Sequence, residues 1–358
     1  MEEAKKRARE ARPSAPTPAR TVPMQRLAAL LLACALAPAA LTHGALAQGT
    51  PGQGVSGKLT LYTSQPDRDA AQTVAAFRKA HPGVQVETFR SGTTEVMGKL
   101  AAEFSGGAPR ADLLLIADAV SMEALKRDGR LQPYPEAKVE GFREGTVDKD
   151  RQYFGSKLIT TGIVYNTAAG LKPTSWADLG RPEFKGQVTM PSPLYSGAAA
   201  ILLGAVTARG DLGWSFVDRL KANETQAVRG NGAVLKSVAG GEKPYGVLVD
   251  FMAYNAKEKG SPVEFVVPKE GVPAVTEPVA ILKSTANLPA AKAFVDFILS
   301  DAGQALAVEQ GYIPAKAGAK NPAWLPAGVE LTLMPVDVGA VLGTTEADKR
   351  RFGEMFGG

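Results

Sequence analysis

Cysteine and histidine are almost missing from this 358-residue chain, which holds one cysteine, Cys34, and two histidines, His43 and His81. A single cysteine excludes an internal disulfide framework, and so little imidazole leaves histidine triads and histidine metal clusters without ligands. Long apolar runs are equally scarce. The stretch Leu27 to Ala37 falls short of the roughly 20 residues a membrane span needs, and no other stretch approaches that length. What is present, 45% apolar and 22% charged residues, excludes a disordered or collagen-like chain and is enough for a large core. At this length two lobes are expected.

The short apolar run has its own reading. Arg26, the run Leu27 to Ala37, and Ala45-Leu46-Ala47 before Gln48 form the basic, apolar and cleavage regions of an export signal. Residues 1–23 lie upstream of an initiation-competent Met24 and are a candidate start-site artefact, so 1–47 are set aside and 48–57 read as linker. Leu31-Leu32-Ala33-Cys34 is a weaker, lipid-anchoring alternative. The excised piece carries seven basic residues (Lys5, Lys6, Arg7, Arg9, Arg12, Arg20, Arg26) and three acidic ones (Glu2, Glu3, Glu10). From totals of 41 and 36 that leaves 34 against 33, a net of +1 in place of +5. The apparent basicity belongs to the signal, so nucleic acid and an acidic membrane surface lose their support as partners.

The remainder alternates strand and helix and predicts an α/β fold. Lys58 to Ser64 alternates as a strand; Asp67 to Ala80 is helical, opened by Pro66; Val84 to Arg90 is a strand, Thr93 to Phe104 a helix, and Asp112 to Ala117 a continuous apolar strand. Such a parallel unit binds ligands beyond the carboxyl ends of its strands. Those ends carry Ser64, Ser91-Gly92-Thr93 and Asp118. A second block repeats the pattern: strands at Lys157 to Tyr165, Gln187 to Met190 and Tyr245 to Asp250, helices from Ser196-Gly197, Asp211 and Ala233, and a Gly/Pro-rich passage between Pro268 and Val279. Thr345 to Phe356 reads as a short charged helix.

Three segments can open a helix onto an anion: Ser91-Gly92-Thr93-Thr94, Ser196-Gly197 and Gly230-Asn231-Gly232. A helix start offers free N–H groups and about half a positive charge, and glycine admits a ligand to the backbone. Each alone is equally an ordinary N-cap worth about 1 kcal/mol, and their common position at strand ends favours a shared cleft. Arg90 and Arg229 precede two of these segments and could add charge to the cradles, with a solvated surface arginine as the favoured expectation. Other signatures fail. Gly52 to Gly57 has the dinucleotide-binding letters but precedes its strand, and Gly230 to Ser237 has Leu235 where a phosphate loop needs glycine. Asp118 and Asp250 leave a carboxylate hydrolase conceivable, but no nucleophile, base or metal set accompanies them.

The segments YTSQPDRDAAQTVAAFRKAHPGVQVE, RSGTTEVMGKL, ADLLLIAD, GEKPYGVLVDFMAYNAKEKGSPVEFVVP and EPVAILKSTANLPAAKAFVDFILS resemble the extracellular solute-binding proteins of ABC importers. They are similar to the branch that includes ferric-iron, sugar-phosphate and 2-aminoethylphosphonate binders. The resemblance implies a two-lobed periplasmic-binding-protein type II fold, with 58–156 plus 272–316 as lobe 1, 157–271 as lobe 2 and 317–358 as a C-terminal strap and helix. It further implies an exported, non-enzymatic monomer without cofactor, delivering a small anion to a permease and its ATPase. Ferric binders of the branch carry adjacent tyrosines where this chain has Phe251-Met252, a pair that makes poor ligands for a hard cation. The segments PSPLYSGAA, RGNGAVLKSVAGG and LVDFMA are more similar to the phosphonate binders. That likeness implies an anionic head held by Ser64, Ser91, Thr93, Ser192, Tyr195, Ser196 and Asn231, with Gly92 and Gly197 in the cradles, and an ammonium met by Asp250, with Asp118 as its helper. For both acids a helix N-cap is the competing expectation. The rival of another class is a secreted phosphate-ester hydrolase.

Overall fold

Alternation in the first strand sends its side chains to two different cores, which requires helices on both faces of the sheet. In the computed structural model, which describes residues 54–357, β1 (Gly57–Thr63) places Leu59 and Leu61 with Phe77 on one face and Tyr62 with Val96 and Leu100 on the other. The helices α1 (Asp67–Ala80) and α2 (Thr93–Ser105) supply those partners, and β2 (Val84–Arg90) and β3 (Leu113–Leu115) flank β1 in parallel. The three leucines of β3 alternate between the same two cores. Then follow α3 (Ala119–Arg127) and the long strand β4 (Tyr153–Asn166). The export signal, Cys34 and most of the linker lie outside the described residues.

The second half is built around the far end of β4. After two short 3-10 turns come β5 (Val188–Pro191), α4 (Gly197–Thr207), α5 (Gly213–Ala222), β6 (Gln226–Val228), α6 (Asn231–Ala239), β7 (Tyr245–Val249), α7 (Asp250–Glu258) and β8 (Val263–Val266). The strand β9 (Val272–Ile281) returns to the first half, followed by α8 (Leu288–Leu299), α9 (Asp301–Glu309), β10 (Ile313–Pro314), β11 (Leu333–Met334) and α10 (Val338–Phe356). The strand order is β2-β1-β3-β9-β4-β7-β5-β6. Two strands cross between the halves. Up to Thr160, β4 pairs antiparallel with β9, and from Thr161 to Tyr165 it pairs with β7. Each half has its own core, one centred on Phe77, Phe154 and Phe294, the other on Trp176, Phe184, Phe216 and Tyr245.

Two elements differ from the sequence expectation. The Gly/Pro-rich passage is the body of β9: Pro278 stands opposite Gly155 beside a bulge in β4, and Pro273 pairs only with the two-residue β11. Proline is tolerated at such irregular or peripheral positions. The C-terminal helix starts at Val338, earlier than its charge pattern indicates, because Asp337 caps it through the Ala340 N–H at 3.0 Å. It lies against both α3 and α4.

Candidate functional site

The carboxyl ends of β1, β2, β6 and β7 converge on a cleft of about 420 Å³ between the two halves. Helices start there for a local reason: each strand hands its chain to a helix through a short polar turn. Four of those helices, α1, α2, α6 and α7, have no capping bond from the preceding side chain; the first residues of α1, α2 and α6 line the cleft, as do Phe251 and Met252 of α7. Among the described residues no acceptor reaches the N–H groups of Thr93, Asn231 or Gly232. Unmet N–H groups at several helix starts make the cleft electropositive without a buried cation.

Tyr195 spans the cleft mouth. Its ring is so close to two backbones that a Cβ on Gly92 would fall 2.6 Å from it and one on Gly230 2.9 Å. Only glycine admits this approach, and the two glycines come from opposite halves. Tyr195 O accepts from the Thr94 N–H at 3.4 Å. The Arg229 guanidinium lies 4.7 Å from the ring centre and donates to both oxygens of Glu95 at 2.8 and 3.0 Å. Ser91 also donates to Glu95, and its hydroxyl, then Arg229, hold that carboxyl below its usual range. Arg90 donates through Nε to Gln65 O at 2.7 Å and through Nη1 to the Tyr195 hydroxyl at 3.5 Å. Both arginines line the cleft, and Arg229 at the same time keeps the solvent exposure expected of it.

Of the residues expected from sequence, Ser64, Gly92, Thr93, Tyr195, Ser196 and Asn231 line the cleft. Ser196 caps α4 through the Ala199 N–H and accepts from Asn231 Nδ2 at 3.2 Å, and Asn231 Oδ1 is buried without a partner. The other five stand elsewhere. Ser91 is turned to Glu95, and Ser192 accepts from the Leu194 N–H. Gly197 packs against Ala117 O and Thr93 Oγ1, where a Cβ would sit 2.7 and 2.8 Å away. Asp118 caps α3, accepting from the Val120 and Ser121 N–H groups and the Ser121 hydroxyl. Asp250 accepts from the Thr160 N–H and hydroxyl and the Phe251 N–H, at 2.7 to 3.0 Å. Both carboxylates are therefore consumed by the fold, Asp118 by the first N–H groups of the helix it precedes and Asp250 by Thr160 of β4 together with the Phe251 N–H of its own helix. Burial pushes Asp250 up to about 6 and raises Asp118 as well.

The floor carries residues with no signal in the local sequence. Glu277 of β9 and Tyr312 line the cleft with Phe251 and Met252. Glu277 is 1% exposed, and its Oε2 meets Lys157 Nζ at 2.7 Å and Gln65 Nε2 at 3.3 Å. Lys157 Nζ lies 3.8 Å from the Tyr312 ring centre, and the Tyr312 hydroxyl donates to Asp69 at 2.8 Å. Burial raises the Glu277 carboxyl, partly offset by Lys157. Among the described residues no three His, Cys, Asp or Glu side chains gather as a metal site. The arrangement can bind and enclose a polar solute; a general base beside a nucleophile is not part of it.

Comparison with known proteins agrees with this geometry. The family model of the bacterial extracellular solute-binding proteins matches residues 108–330. An uncharacterized protein of Haemophilus influenzae is 31% identical over 269 residues, covering 71% of this chain and 76% of that one. A probable ABC transporter periplasmic-binding protein, y4fP, of Sinorhizobium fredii is 27% identical over 303 residues, 79% and 82% of the two chains. The periplasmic binding protein AfuA of Actinobacillus pleuropneumoniae, solved with exogenous fructose-6-phosphate bound, superposes with a TM-score of 0.74 at 23% identity, over 84% of this chain and 98% of that one. The chain thus belongs to the bacterial extracellular solute-binding proteins and is the substrate-binding component of an ABC transporter, a partner of permease and ATPase subunits and not an enzyme.

Proposed function

We propose that the cleft captures a small organic phosphorus oxyanion, a phosphonate or a phosphate monoester, for import. The observation that carries this reading is the meeting of the uncapped starts of α2 and α6 around Tyr195, with Arg90 and Arg229 at the same end. A dianion there satisfies N–H groups that nothing else reaches, and each helix start contributes about 0.3–1 kcal/mol before the arginines are counted. In this reading the head rests on Thr93, Asn231, Ser64 and Ser196, while the organic part lies toward Phe251, Met252 and Tyr312. Lobe 1 comprises 58–156 with 272–316 and lobe 2 comprises 157–271, moving about the crossing strands β4 and β9. The expectation of 2-aminoethylphosphonate came from the likeness to the phosphonate binders, which implied Asp250 as the partner of its ammonium. With that carboxylate bonded to Thr160, the amine has lost its assigned partner, and the aminophosphonate becomes one member of the oxyanion class.

Calorimetric titration of the exported chain with inorganic phosphate, 2-aminoethylphosphonate, a hexose phosphate, putrescine and ferric citrate tests this reading. Saturable binding of at least one phosphorus compound, and none of putrescine, is expected. Heat from putrescine or ferric citrate alone would replace it.

A further inference from the structure

We propose that Glu277 is a specificity-determining residue of the cleft, accepting a hydroxyl from the organic part of the ligand. The assignment rests on the oxyanion reading above and adds the other end of the molecule. Glu277 is buried yet faces the cleft. Both of its bonds fall on Oε2, and among the described residues no donor reaches Oε1. Its partner is set by an irregularity: the β4 register shifts between Gly155 and Leu158, so Ser156 and Lys157 fall in the bulge, and Lys157, 3% exposed, is aimed at Glu277. Bulges re-aim side chains beside functional sites. Stability alone does not account for the pair, since a buried ion pair recovers little beyond its own desolvation and apolar residues of similar volume serve as well or better.

The pairing also selects the kind of donor. Lys157 already offsets the carboxylate charge, so for a ligand ammonium on Oε1 the repulsion from this second ammonium cancels much of the attraction that an unpaired carboxylate would supply. A hydroxyl brings a donor without that repulsion, and a hydrogen bond to a charged acceptor is worth about 1.5–3 kcal/mol.

The test compares ligands matched in their head. For the exported chain, glycerol 3-phosphate is expected to bind about tenfold or more tighter than n-propyl phosphate, which lacks the hydroxyls. In Glu277→Gln, and in the double variant Lys157→Met/Glu277→Leu, which leaves no orphan charge, that ratio is expected to fall below about threefold while inorganic phosphate affinity changes little. Equal affinity for the two esters in the unmodified chain overturns the assignment without needing any variant. So does a ratio that survives in both variants, or a tenfold preference for 2-aminoethylphosphonate over glycerol 3-phosphate. If no phosphorus compound binds, the oxyanion reading fails first and the assignment falls with it; if the esters bind alike, only the assignment fails.

Discussion

Gly92 and Gly230 show how a single hydrogen in place of a methyl group decides what the cleft can do. A Cβ on Gly92 meets the Tyr195 ring and its carbonyl oxygen at 2.6 Å, across the boundary between the halves. Overpacking of this kind costs about 1–3 kcal/mol, and it falls on the closed form. Gly92→Ala is expected to weaken binding of the best phosphorus ligand about tenfold or more by calorimetry, with little change in ligand-free melting. A large loss of melting temperature with unchanged affinity would reassign Gly92 to the fold. Asp250 gives a second prediction. Burial lifts its folded value to about 6, while the unfolded chain titrates near 3.9. The folded state therefore holds a proton that the unfolded state releases, so Asp250 favours folding below about pH 4 and loses that contribution as pH rises through about 6. Between pH 4 and 7 the melting temperature of Asp250→Asn should gain on that of the unmodified chain, because only the latter acquires a buried charge. A pH-independent gap argues against this. Sequence reading found the hydroxyls and amides, Thr93, Ser196 and Asn231, since small polar residues at strand ends are a local signal. It placed Arg90 and Arg229 beside the cradles but favoured a surface role for them, and it missed Glu277, because a charged side chain reads as surface until the residues facing it are known.

At the scale of elements, α10 carries the clearest expectation. Val341 packs so closely on α4 that a Cβ on Gly204 would fall 2.8 Å from it, and it shares a core with Val120 of α3. Further along, Phe352 enters the core of the second half, stacks on Phe356 with ring centres 4.6 Å apart, and is preceded on the same helix by Arg351, which lies over Trp214. Phe352→Ala should cost about 3 kcal/mol, read as a lower midpoint in urea at unchanged slope. A loss under about 0.5 kcal/mol would mean that the helix end is not docked in solution. The helices α1, α2, α4, α5 and α6 were legible because apolar spacing and start signals are local: Pro66 before Asp67 and Ser196 before Gly197 mark their helices directly. The start of α10 was not, since Val338 to Thr344 is low in charge and its helical state is fixed by packing on α3 and α4. β9 was hidden for a related reason: its prolines are admissible only because a bulge and a short peripheral strand stand opposite them.

For the whole molecule, the contacts that hold the two halves together over the ligand space are few. The Arg229–Glu95 pair is substantially exposed, and pairs of that kind contribute about 0–1 kcal/mol. The Thr94 N–H to Tyr195 bond is long, at 3.4 Å. The lobe closure proposed above would then draw on the ligand, through a difference in its affinity for open and closed forms. Solution scattering is expected to show a smaller radius of gyration with the tightest phosphorus ligand than without it. Glu95→Gln should change affinity less than about fivefold, consistent with a weak latch. An identical radius in both states would leave the closed form standing without ligand. By itself the sequence determined the α/β class, the alternation of strands and helices up to β7, and the hydroxyl-rich strand ends, because these depend on periodicity and capping within a few residues. Tertiary structure alone decided which charges serve the cleft. Arg229 meets Glu95 across 134 residues and Arg90 meets Tyr195 across 105, while Asp118 was spent on the backbone donors beside it and Asp250 on Thr160, 90 residues away. Charge acts through space, and neither composition nor spacing along the chain records which residues the crossing of β4 and β9 brings face to face.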